Sequence, residues 1–287
     1  MTGGWRIFGM LAPLLLVLAG LFGLGLGLTL MRSLRYLPAI GLTEPDLAAY
    51  RAVLTAPRFL ASVVWSLWIA GASSGISALL SLGTALLLRH GFAGRGLLLA
   101  LIELGLAVPH VVGALGILYL FSQSGSFARL AFGAGLIDQP AAFPALTHDP
   151  YAIGIILLYV WKEMPFMTLV LLARLKRIGP GHEAVARSLG ATPWQAFAQV
   201  LLPMLLPSLL VATALVFAFA FGAYEVPLLL GPHAPEAVSV VAWKHHTDVD
   251  LSARPEAMAM AVLVFVIAGA VLALGARLVW RLGGFSR

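Results

Sequence analysis

The sequence predicts an all-α integral membrane protein with about six transmembrane helices, and two observations carry that prediction. Apolar residues make up 61% of the 287-residue chain and charged residues only 10%. A mean hydropathy of +0.97 is more than a water-exposed surface of this length presents. Six apolar windows are each long enough to cross roughly 30 Å of hydrocarbon at about 1.5 Å per helical residue. In order they are Ile7–Met31, Phe59–Leu88, Gly96–Phe121, Tyr151–Ala173, Pro207–Leu230 and Glu256–Trp280.

The first window follows Arg6 and is leucine-rich, but it is too long for the apolar core of a signal peptide and has no small-residue cleavage site, so it is expected to be retained as a helix. The second contains Gly71-x-x-x-Gly75, a spacing that fits close helix approach. In the third, Glu103 and His110 flank Pro109 and share a helical face two turns apart, placed for packing or, alternatively, for a proton relay. Lys162 and Glu163 of the fourth window, in Trp161-Lys-Glu-Met-Pro-Phe166, point about 100° apart and are expected to pair with other helices or subunits. The fifth ends in Phe221-Gly-Ala-Tyr-Glu-Val-Pro227, where Pro227 is expected to break or kink the helix. Glu225, with Tyr224 beside it, is then either a ligand for a cation or an interfacial carboxylate facing water.

The connections Arg32–Arg58, Ser122–Pro150 and Gly231–Pro255 are long and rich in turn residues, as suits docking of an external partner, and proline excludes helix at the residue before it. Placing these outside and both termini in the cytoplasm puts Arg6, Arg89, Arg95, Arg174, Lys176, Arg177, Arg187, Arg277, Arg281 and Arg287 inside, against seven basic residues outside. The net charge of +6 therefore reads as attraction to anionic membrane lipid, and no basic stripe interleaved with aromatics points to nucleic acid. The absence of cysteine excludes disulfides and thiolate metal sites. Walker A, dinucleotide GxGxxG and HExxH signatures are missing, and His245-His246 is an isolated pair, so neither catalysis nor a metal site is expected in this chain.

One polar stretch interrupts the pattern: His182–Pro207, HEAVARSLGATPWQAFAQVLLPMLLP, within a loop of about residues 174–206. Glu183, Ala184, Ala186 and Leu189 suit a short helix, Gly190 permits a sharp turn, and Thr192 with Pro193 forms the cap and first turn of a second helix carrying Trp194, Phe197, Val200 and Leu201 on one face. Val200, Leu202 and Pro203 follow Gly190 by ten, twelve and thirteen residues. This spacing resembles the cytoplasmic coupling loop of binding-protein-dependent ABC importer permeases, and Ser66–Leu88, Tyr159–Leu172 and Phe219–Gly231 are similar to the spermidine/putrescine-type branch.

The resemblance covers about residues 55–280 and implies one type I importer permease domain over 1–287 in a bacterial inner membrane. It also implies a second permease, identical or related, two ATP-binding subunits that carry ATP and magnesium, and an external substrate-binding protein. Glu183, Ala184, Ala186, Gly190, Ala191, Val200, Leu202 and Pro203 are its coupling residues. The pattern's glutamate position is occupied by Ala184, with Glu183 one step earlier and turned by about 100°, so the usual glutamate contact is not expected here. Glu225, Tyr224, Glu163 and Trp161 are expected to line the pathway and to favour a small organic cation such as a polyamine or thiamine, with ferric iron or a small anion as alternatives. A stand-alone secondary transporter or channel is the rival reading, but no inverted repeat of broken helices is found.

Overall fold

Six helical stretches are long and apolar enough to cross a membrane in the computed structural model, which describes residues 3–281. They are Ile7–Ser33, Pro57–Leu88, His110–Gly133, Ile153–Ile178, Pro193–Gly222 and Leu251–Arg281. Arg287 and the side chain of Arg6 lie outside what is described. Among the described residues there is no strand, only an isolated bridge between Leu37 and Leu42. The chain divides into two compact units.

One unit comprises the chain up to Leu60 together with Val241–Phe265. Its helix α1 (Gly3–Ser33) buries none of its apolar window, the behaviour of a helix that is apolar on every side and surrounded by lipid. Beyond it the Ser33 hydroxyl meets Tyr50 Oη at 2.8 Å, and Arg35 pairs with Asp46 at 2.8 Å. Asp46 also accepts the Ala48 N–H at the start of α2 (Ala48–Thr55). On the later segment the exposed Asp250 accepts hydrogen bonds from the Ser252 hydroxyl and N–H, which hold its carboxyl below the usual value.

The other unit holds the rest: α3 (Pro57–Leu88) from Ala61 onward, α4 (Arg95–Ala107), α5 (His110–Phe121), α6 (Ser126–Gly133), α7 (Ile153–Ile178), α8 (Gly181–Ser188), α9 (Pro193–Ala196), α10 (Leu202–Gly222) and α11 (Glu225–Leu230). It also takes the start of α12 (Val238–His246) and the end of α13 (Arg254–Arg281). Helix α7 is its centre and packs against α4, α5, α10 and α11. A face of small residues on α3, Ser62, Ser66, Ser73, Ser77 and Ser81, is buried, and Ser66 Oγ accepts the Val238 N–H at 2.9 Å. Gly71 and Gly75 meet open space rather than another helix. Close approach occurs instead at Gly105 and Gly113, where an added Cβ would lie 3.2 Å from Pro165 Cγ and 2.7 Å from Leu158 Cδ1.

Three expectations are corrected. The predicted helix Gly96–Phe121 is two helices, because Val108 precedes a proline and adopts extended backbone, and Pro109 has no N–H to continue the ladder. The predicted break at Pro227 occurs upstream: α10 ends at Gly222, Ala223 is extended, and Pro227 stands in the first turn of α11, where no N–H is required. The connections Arg32–Arg58, Ser122–Pro150 and Gly231–Pro255, read as turn-rich loops, contain α2, α6 and α12.

Candidate functional site

The polar stretch folds as an elbow with its own hydrogen-bond closure. Gly190 has φ 92°, a left-handed conformation that glycine adopts without a Cβ clash. This lets the Gly190 N–H reach Arg187 O at 3.0 Å and the Ala191 N–H reach Ala186 O at 3.1 Å, the paired bonds of a Schellman helix end. Two residues on, Thr192 Oγ1 accepts the Gln195 N–H at 3.2 Å and Gln195 Oε1 accepts the Thr192 N–H at 2.9 Å. That capping box, with Pro193 in the first helical position, starts α9. Phe197–Leu201 then form a π turn ahead of Pro203, which has no N–H to give to the preceding helix.

The elbow is anchored on one side and bare on the other. Leu201 and Leu205 are buried with Ala85, Leu88, Leu171, Leu175 and Ile178, so the far arm is packed onto the ends of α3 and α7. Burial at that junction favours a fixed joint through the ordinary hydrophobic term. Val185, Leu189 and Trp194 are 61%, 83% and 71% exposed. The expected common face of the second helix is therefore divided: Trp194 points outward while Leu201 is buried, because the π turn advances the register by one residue. Ala184 and Pro203 are exposed, Ala186, Val200 and Leu202 half-buried. Glu183 binds Arg89 at the end of α3, with Nη1 to Oε2 at 2.6 Å and Nη2 to Oε1 at 3.3 Å, each side chain about a quarter exposed or less. Nothing in the local sequence pattern signals this pairing across 94 residues.

Within the membrane-spanning part the charges are spent on neighbouring helices. Buried Lys162 donates from Nζ to Gly105 O at 2.7 Å and to Val108 O, satisfying carbonyls exposed where α4 stops short of α5. Glu163 accepts from, or donates to, His110 Nε2 at 3.0 Å. Glu103, expected to share a helical face with His110, is exposed, since the helix break removes that common face. Tyr159 is fully buried, with its hydroxyl unbonded. Its ring meets those of His110 and Phe219 at 6.4 and 6.2 Å.

Of the four expected pathway residues, Glu163 is held by His110, whose ring lies beside Tyr159. Tyr224 is half-buried as the residue before α11, and Glu225 is exposed at that helix's first position, where the dipole favours a negative charge. Trp161 is 42% exposed and lies against Gly105 and Gly113 at the α4–α5 junction. His110, Tyr159 and Phe219 were not singled out as pathway residues; only the histidine carries a sequence signal, through its place after Pro109.

Residues 77–281 match the family described as binding-protein-dependent transport system inner membrane component. The sulfate transport system permease protein CysT of Escherichia coli is 30% identical over 206 residues, covering 71% of this chain and 68% of that protein. The molybdenum transport system permease protein ModB of Mycobacterium tuberculosis is 28% identical over 241 residues, 81% of this chain and 84% of its own. In fold, the chain superposes on a bacterial ABC transporter involved in import of the acidic polysaccharide alginate with a TM-score of 0.78 at 18% identity, over 96% of both chains. An amino acid ABC transporter gives 0.56 at 18% identity, over 81% of this chain and 97% of that one.

Proposed function

We infer the function from membership: the chain belongs to the family of binding-protein-dependent transport system inner membrane components, and it is the permease subunit of an ABC importer. Its fold is that of type I importer permeases, and it is a multipass inner-membrane protein. The reading goes further in three respects. Both termini face the cytoplasm; the elbow docks on an ATPase subunit; and a second permease, a second ATPase and an external binding protein complete the assembly.

The observation that carries this reading is the elbow. It presents Val185, Leu189 and Trp194 to solvent from a backbone closed by a Schellman end and a capping box. A rigid knob with exposed apolar side chains fits a groove on a partner and can be pushed as a body. Closure of the ATPases would move Glu183–Pro203 and, through buried Leu201 and Leu205, the start of α10.

For the cargo we propose a small oxyanion of the sulfate or molybdate kind. Support comes from the sulfate and molybdenum permeases to which the chain is similar. The polyamine or thiamine expectation rested on Glu225, Tyr224 and Glu163, and the Glu163 carboxylate is engaged by His110; the polyamine-type branch rested on Ser66–Leu88, Tyr159–Leu172 and Phe219–Gly231, and the relatives are named instead for sulfate and molybdenum. The decisive experiment reconstitutes the chain with the ATPase that stays bound to it in detergent and with its binding protein, then follows ATP-dependent uptake of labelled sulfate, molybdate and putrescine. Uptake of putrescine alone overturns the oxyanion reading; failure to retain any ATPase overturns the docking role of the elbow.

A further inference from the structure

Behind the elbow lies a cavity of about 370 Å³, walled by the end of α3, the start of α4, the last turn of α7 and the start of α8. Arg89, Arg95 and Lys176 line it, three cations against the single carboxylate of Glu183. Glu183 satisfies Arg89, and Arg95 uses Nε on Leu88 O at 2.8 Å, keeping its terminal guanidinium N–H groups. Lys176 has no hydrogen bond or ion pair among the described residues. Arg95 is the residue through which α4 lines the cavity. Leucines 172 and 175 give the same cavity an apolar wall.

The place of the cavity limits what fills it. Leu88 and Ile178 end two of the membrane-spanning helices, so it sits where hydrocarbon gives way to water, on the face that carries the elbow. We propose that it holds a phosphate group, carried by an anionic phospholipid: Lys176 and Arg95 take the phosphate, and the leucine wall takes the first methylenes of an acyl chain. Cationic pockets between helix ends at a membrane surface bind acidic headgroups in this way. The volume suits a glycerophosphate headgroup. The cavity borders Glu183, so an occupant shares Arg89 with it and adjusts how firmly α8 is held.

Native mass spectrometry of the delipidated full-length chain tests the proposal, with short-chain phosphatidylglycerol, phosphatidylcholine and inorganic phosphate as probes. The wild-type chain should retain phosphatidylglycerol over phosphatidylcholine, and Lys176→Gln should weaken retention about fivefold, the contribution expected of one basic residue near a membrane surface. Lys176→Arg should restore it, which a merely structural lysine would not require. Arg95→Gln serves as a second variant. Displacement of the lipid by millimolar inorganic phosphate assigns the cavity to a free anion instead. Equal retention of phosphatidylglycerol by wild type and by both Gln variants overturns the site.

Discussion

Substituting Gly190 separates backbone geometry from contact at the elbow. A Cβ built on Gly190 meets no atom within 4 Å, so steric exclusion contributes nothing, and the cost of a side chain arises wholly from φ 92°. An L-residue held in the left-handed region costs ~1–2 kcal/mol, and a β-branched one ~2–3 kcal/mol. At about 1.4 kcal/mol per tenfold, Gly190→Ala should deplete the native elbow about tenfold and Gly190→Val about a hundredfold relative to the glycine chain. Gly190→Asn should fall closest to wild type, because asparagine tolerates this region. The assay is ATP hydrolysis by the assembled importer, stimulated by loaded binding protein, with membrane insertion and ATPase retention measured on the same preparation. The expected order is Gly, Asn, Ala, Val, with insertion unchanged throughout. Full stimulation in Gly190→Val refutes the mechanical role of the elbow. Equal loss in Asn and Val refutes the dihedral argument and points to a docking contact at that position.

Further substitutions follow from the geometry. Lys162→Met leaves Gly105 O and Val108 O without their donor. Each abandoned carbonyl costs ~1–3 kcal/mol, offset in part by removing a buried charge, so thermal unfolding in detergent should show a net loss of about 2 kcal/mol; an unchanged midpoint counts against the capping role. For Arg89 and Glu183, a double-mutant cycle with Gln at both positions should give a coupling of ~0.5–1 kcal/mol after solvent screening, and faster amide exchange in α8. A coupling of zero removes the tether, whereas Ala184→Glu, on an exposed position, should leave uptake intact. Glu225→Gln should preserve or raise uptake if the cargo is an oxyanion, since a repelling carboxylate is lost; reduced uptake in vesicles, with ATPase activity unchanged, would reinstate a cation.

Hydropathy located the spans because burial in lipid asks one thing of every side chain, and the elbow was legible because Gly190, Thr192 and Pro193 are local signals with local causes. The same uniformity hides a break inside an apolar run. Both sides of Val108–Pro109 are apolar, and only the proline marks the junction that separates α4 from α5. Long-range pairing is invisible for a different reason. Arg89 finds Glu183 across 94 residues, and His110 finds Glu163 across 53, through the packing of whole helices. Glu103 was the nearer carboxylate to His110 in sequence and shows the error that a continuous-helix assumption produces. Trp194 shows the complementary one: a face drawn at regular α spacing fails where a π turn shifts the register.

The bond from Lys162 to the end of α4 has a kinematic consequence. A metal ion or water satisfying those carbonyls would leave the helices free to part, but this cation is fastened to α7 by its own side chain. The contact works as a pinned joint. Sliding α7 lengthwise past α4 would strip two carbonyls at once in a medium that offers no substitute, whereas swivelling about the ammonium keeps both bonds through the freedom of the lysine stem. Of the relative movements open to the two helices, the pin favours rotation and carries the α4–α5 break along with α7.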